Sequence, residues 1–186
     1  MIIPRVQLQH HFLFGAMPST KGCAAKSGWM NVDLFVDECL DNLIARTICS
    51  KSNVILLILD NYGYVSIQAL QKAKDNGIAL VTIPPHLSHK LQPLDVSVYY
   101  PFKEYFAQAM DDWMRRNPGE VVRISHISQF VRQAMIHSMT PNILAGFQKT
   151  GIFPLNTGIL KDADLVAAEI TDRPDPIGGP CPPSLQ

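Results

Sequence analysis

At 186 residues, 47% hydrophobic and 17% charged, the chain is long enough for one domain with a substantial core, and its composition excludes a disordered polypeptide. Lys plus Arg and Asp plus Glu number 16 each. That balance excludes the strongly basic character of a dedicated DNA-binding module and leaves any nucleic-acid contact to local patches.

The longest apolar run, Val54 to Leu59, is too short to span a bilayer. Pro4 and Arg5 interrupt any signal-peptide pattern at the start, so a soluble intracellular protein is expected. Cys23, Cys39, Cys49 and Cys181 form no CxxC pair, which argues for a reduced compartment and against a zinc knuckle or redox motif.

In chain order, residues 1–8 read as a strand in which Pro4 is tolerable only at an edge or end. Residues 15–28 read as a Gly/Ser/Lys-rich loop. Asn31 is placed to cap a helix over 32–46, whose Val36, Leu40, Leu43 and Ile44 recur at helical spacing. The run VILLIL, 54–59, suits a central strand covered on both faces. Ser66 caps a further helix that Asn76-Gly77 ends, and a second buried strand, 78–83, stops at Pro84-Pro85. This alternation predicts an α/β fold with a largely parallel strand pair.

Beyond residue 95 the pattern turns helical. Val98, Phe102, Phe106, Met110 and Trp113 mark one long helix closed by Asn117-Pro118-Gly119, with the aromatic stripe over 99–113 expected in the core. A second helix is expected over 124–139. A third starts at Thr140-Pro141, a cap residue followed by proline at the first helical position. Ala163 to Ile170 reads as a last short helix. From Thr171 onward, proline and glycine enrichment predicts a disordered tail. The expected division is a domain over 1–156, a short helical extension over 157–170 and a tail over 171–186.

Asp60 ends the first buried strand, and Asp95 stands one loop past the end of the second, at the start of the long helix. Adjacent parallel strands bring both to one rim, the edge where α/β sheets gather sites. Two facing carboxylates repel unless a divalent cation sits between them, and hard oxygen ligands suit Mg²⁺ or Mn²⁺. Such a cation pair activates water and steadies the leaving oxygen of a phosphodiester, and it needs two or usually three acidic ligands. Each acid also has a plain structural reading. Asp60-Asn61 can make a turn, and Asp95 can cap the helix. His86 and His89, in HxxH spacing, lack a third ligand for zinc and suit loop hydrogen bonding. Lys103, Arg115, Arg116, Arg123 and Arg132 are interleaved with acids and read as solvated surface.

The segments IIPRVQ (2–7), SGWMNVDLF (27–35), LLILDN (56–61), NGIALVTIPPHLSHKLQPLDVSVYYPFK (76–103) and GFQKTGIFPLN (146–156) resemble, in this order, the DDE superfamily endonuclease domain of pogo-like transposases. That group includes the Tigger and Jerky-type elements and relatives of centromere protein B. The PPHxSHxLQPLD run is highly specific, and the likeness covers about residues 1 to 176. It implies an RNase H-like fold in which three acids hold two Mg²⁺ ions for DNA strand cleavage and transfer in the nucleus. Asp60 matches the family's second acid and Asp95 its third. Asn61, His86, Ser88, His89 and Gln92 would line the active-site rim.

Two departures from the family pattern follow. The first acid belongs upstream of the segment matched by IIPRVQ, so the domain is expected to be N-terminally truncated and to lack its DNA-binding helices. Asp33, within a helix, is no substitute. The family's histidines after the strand-end aspartate are replaced by YGY in DNYGYVS, one residue short. Loss of one acid implies a rate loss of about 10³-fold or more, and a missing strand implies marginal stability alone. The expectation is a catalytically impaired domain with weak DNA binding, since affinity grows with Lys and Arg contacts to phosphate. The alternatives are a domesticated DNA- or protein-interaction module using residues 96–156, or a full enzyme completed by an upstream segment. A homo-oligomer or a protein partner stays open.

Overall fold

The computed structural model describes residues 1–60, 63, 65–84 and 86–161. Four short strands are described: β1 (Ile2–Pro4), β2 (Cys23–Ala25), β3 (Ile55–Leu59) and β4 (Ile78–Thr82). They pair in parallel as two separate two-stranded sheets, β1 with β2 and β3 with β4. The parallel pairing of β3 with β4 is as expected. The strand at the start is only three residues long, and the segment read as a loop over 15–28 contributes β2. Pro4 closes β1, where its lack of an N–H costs no ladder bond.

The helix expected over 32–46 is continuous, but its middle is unusual. Leu34–Leu40 is π-helical and passes directly into α1 (Asp41–Arg46). Asn31 Oδ1 accepts the Leu34 N–H at 2.9 Å, the expected cap. The π turn is tied to α2 (Ile67–Asp75) by Lys72. Its ammonium donates to the Val36 carbonyl at 2.7 Å and pairs with Asp41 at 2.9 Å.

Helix α2 is bounded as the sequence indicates. Ser66 Oγ accepts the Ala69 N–H at 3.2 Å. Gly77 leaves the helix at φ +71°, with Ser50 O only 2.0 Å from where a Cβ would sit. Only glycine meets both demands.

Phe35, Leu40, Ala69, Ala73 and Ile78 are buried together, with Ile55, Leu57, Leu59 and Leu80 packed against them. One face of the β3–β4 pair is therefore covered by the π segment and α2. The opposite face corrects the expectation of strands buried on both sides. Leu56 is 56% exposed and Val81 49%. Ile58 alone on that face is packed by Ile83, Leu87 and Leu91. Two strands present too narrow a surface for a second helical layer to seal, and a cleft of about 410 Å³ remains between this face and Ile152, Leu155 and Ile159.

The helical half follows the 3.6-residue pattern closely. After a four-residue helix α3 (Ser88–Leu91), the chain makes a second π turn, Leu94–Val98, and continues as α4 (Tyr99–Arg116), α5 (Ile124–Ser138) and α6 (Thr140–Lys149). Asn117 ends α4 by donating its side-chain amide to the Trp113 carbonyl at 2.8 Å. Phe130 of α5 is buried and meets Phe106 and Trp113 of α4 edge-on, with ring centroids 6.0 and 6.3 Å apart. Ser128, also buried, donates to the Phe12 carbonyl of an unforeseen 3-10 turn, His10–Leu13.

Two expectations need correction here. Thr140 lies inside α6 rather than capping it, and no side chain caps that helix. The Met139 carbonyl accepts the Ile143 N–H instead, so α5 runs almost directly into α6. The aromatic stripe is also not uniformly core: Tyr99, Tyr100 and Tyr105 are exposed. The expected helix from Ala163 to Ile170 and the tail from Thr171 lie outside the described residues.

Candidate functional site

Parallel pairing carries β3 and β4 to a common end, where the Ile83 N–H donates to the Leu59 carbonyl at 2.8 Å. Asp60 follows Leu59 directly and is half-buried. Past Ile83 and Pro84 the chain turns through His86, held at φ +61°. Leu87 is buried beneath the turn and its carbonyl receives the Lys90 and Leu91 N–H groups, both at 2.9 Å. His86 and His89 face solvent, whereas Ser88 and Gln92 are half-buried. Ser88 and Gln92 are tied by backbone, with the Gln92 N–H donating to the Ser88 carbonyl at 2.9 Å. Asn61 lies outside the described residues.

Asp95 is exposed on the second π turn, whose Ser97 and Val98 are buried. The Gln92 carbonyl accepts the Val96 N–H at 3.1 Å, and the Leu94 carbonyl accepts the Tyr99 N–H. These bonds carry the loop into the helix without a break. The turn is held from outside by α6: the backbone of Pro93 packs on Gly146, where a Cβ would lie 2.6 Å from the Pro93 carbonyl oxygen. π turns recur at functional sites because they re-aim the side chains of a helix.

Tyr99 lies within electrostatic reach of both acids. Burial is the first cause pushing its phenol above the ordinary value, and the negative charges of Asp95 and then Asp60 push it further. Asp95 is four residues away on the same helical run, the spacing that puts side chains on one face. Asp60 arrives from a different element. Tyr99 escaped the sequence reading, which placed it in a core stripe. Its one available signal was its four-residue spacing from Asp95.

In donor chemistry the carboxylate pair suits a hard cation such as Mg²⁺ or Mn²⁺. Among the described residues, however, no group of three or more His, Cys, Asp or Glu is placed to hold a metal ion. The pair does not by itself complete the ligand set of a two-metal site.

The family described as DDE superfamily endonuclease matches residues 7–140, a span that holds both Asp60 and Asp95. Over 136 residues the chain is 26% identical to the MFS-type transporter clz9 of Cochliobolus lunatus, a match covering 72% of this chain and 15% of that protein. The chain thus spans only a small part of that relative. Among the described residues no helix is long and apolar enough to cross a membrane. No solved structure matches the chain.

Proposed function

The chain belongs to the DDE superfamily endonuclease family, and from that premise we propose that it is a transposase-derived nuclease domain in which Asp60 and Asp95 are the metal-binding catalytic acids. The proposal includes an RNase H-like fold of the pogo, Tigger and Jerky type and a nuclear, DNA-directed role. His86, Ser88, His89, Gln92 and Asn61 form the rim. The observation that supports it is the parallel pairing of β3 and β4, by which Asp60 follows the end of one strand and the loop leading to Asp95 leaves the same end of the other, both within the family match. Bound between such acids, divalent ions supply an activated water and a counter-charge for the leaving oxygen.

Among the described residues these two carboxylates have no third acid grouped with them, so slow or no DNA cleavage by this chain alone is the expected outcome. Titration with Mn²⁺ is the direct test of the site. Weak binding that is lost in both Asp60→Asn and Asp95→Asn is expected, and affinity unchanged by either substitution would sink the assignment. Supercoiled plasmid tests the impairment. Brisk nicking by the purified chain with Mg²⁺ or Mn²⁺, abolished by Asp60→Asn, would show a complete site.

A second reading, a domesticated interaction module, draws on the exposed Ile136, Leu144, Phe153 and Leu155 of the helical half. Partner binding that survives both chelation and Asp95→Ala would favour it.

A further inference from the structure

The open face of the β3–β4 pair and the end of the described chain meet at one apolar cleft. Its floor is Leu56, Ile58 and Val81, and its far wall is Ile152, Leu155 and Ile159. Leu56 and Leu155 are exposed, and apolar surface gathered in a groove marks a place for another segment to bind. The far wall is held firmly. Gly151 takes φ +68°, with the Asn156 carbonyl oxygen 2.5 Å from where a Cβ would sit, and its own carbonyl accepts the Asn156 N–H at 2.8 Å. Asn156 Oδ1 in turn accepts the Gly158 N–H at 3.0 Å and starts a 3-10 turn, Thr157–Ile159. Leu160 follows that turn and also lines the cleft. The chain therefore continues from the cleft's own wall.

What continues is DADLVAAEI, 162–170, which lies outside the described residues. Asp162 suits an N-cap, and Asp164 suits a first helical turn. Ala163, Val166, Ala167 and Ile170 then recur at i, i+3, i+4 and i+7, the apolar stripe of a helix about 12 Å long. Leu165 and Glu169 fall on the other side. So short a helix is marginal in water by itself and depends on a surface that takes its apolar stripe.

We propose that residues 163–170 fold back as a helix into this cleft, with Val166 and Ile170 against Leu56 and Val81, so that the chain seals the open face of its own strand pair. A second copy or another protein reaches the cleft only from solution. This segment begins three residues after Leu160 and competes at the high effective concentration of a short tether. Pro84 and Leu91, which flank the turn through His86, also line the cleft, so the docked helix braces one side of the candidate site. The inference stands apart from the nuclease reading, because it requires neither a metal nor DNA.

Hydrogen exchange of the full chain tests the proposal. The amides of 163–170 are expected to exchange about tenfold or more slowly than in a free peptide of the same sequence, at rates independent of protein concentration. Leu56→Asp, at a position already in solvent, is expected to release that protection, and so is Val166→Asp. Leu165→Asp should leave it in place. Denaturant unfolding gives a second measure: Val166→Asp should lower the midpoint, Leu165→Asp should not, and the effect of Val166→Asp should vanish in the Leu56→Asp background. Free-peptide rates over 163–170 in the unaltered chain would overturn the proposal. So would protection that persists in both Leu56→Asp and Val166→Asp, and protection that grows with concentration would replace this segment with a second copy. If Leu56→Asp does not fold, the pair in the segment decides: equal protection and equal midpoints in Val166→Asp and Leu165→Asp overturn the inference, and a loss confined to Val166→Asp supports it.

Discussion

Gly146 of α6 sits directly on the backbone of Pro93, so close that a Cβ there would stand 2.6 Å from the Pro93 carbonyl oxygen. Pro93 is two residues before Asp95. Helix α6, which begins where the family match ends, thereby packs on the turn that carries an acid. Gly146→Ala is expected to force the two apart, at a cost of about 1–3 kcal/mol. A lowered melting temperature, with Mn²⁺ affinity reduced beyond what the stability loss explains, would bear this out. An unchanged melting temperature would show that α6 does not bear on the turn.

Tyr99 provides a spectroscopic handle on the same acids. Its phenol is raised above 10.0 first by burial and then by Asp95 and Asp60. The folded state thus holds the phenolic proton more tightly than the unfolded state. That stabilisation is complete below the ordinary phenol value and is lost as pH rises through the raised one. Asp95→Asn removes one charge and should bring the phenolate absorbance transition to lower pH. A divalent cation bound by the pair should act in the same direction. A transition unmoved by either would separate Tyr99 from the acids.

Phe130 is the keystone of the α4–α5 contact, buried and touching both Phe106 and Trp113 edge-on. Truncation to alanine is expected to cost about 3–5 kcal/mol, from lost burial and the cavity left behind. Denaturant unfolding should show a midpoint shift of that size, or no cooperative transition at all. A shift under about 1 kcal/mol would mean that the helical pair does not depend on this ring.

Ser66 satisfies the Ala69 N–H at the start of α2, immediately after the strand-end segment that follows Asp60. Ser66→Ala should cost about 1 kcal/mol, and Ser66→Gly only a few tenths. Equal losses for the two would argue against a capping role.

Much of the local structure is legible along the chain. The helix over 32–46, the Ser66 and Asn31 caps, the Asn76-Gly77 exit and the parallel β3–β4 pair all follow from contacts within a few residues or from repeated apolar spacing. The π turns at Leu34–Leu40 and Leu94–Val98 are not legible in this way, because they shift the helical hydrogen bonding without altering the apolar pattern. Thr140 fails as a cap because the Met139 carbonyl already accepts the Ile143 N–H.

The candidate site divides in the same way. Asp60 at a strand end and Asp95 beyond the next loop are positions in the sequence, and their residue types point to hard-cation chemistry before any fold is known. Their common action on Tyr99, the exposure of Tyr99 and Tyr100, and the uncovered Leu56 and Val81 depend on which distant segments pack together. Periodicity can mark a face as apolar, but whether another element arrives to cover it is settled by long-range burial, and here the helices cover one side of the strand pair and leave the other open.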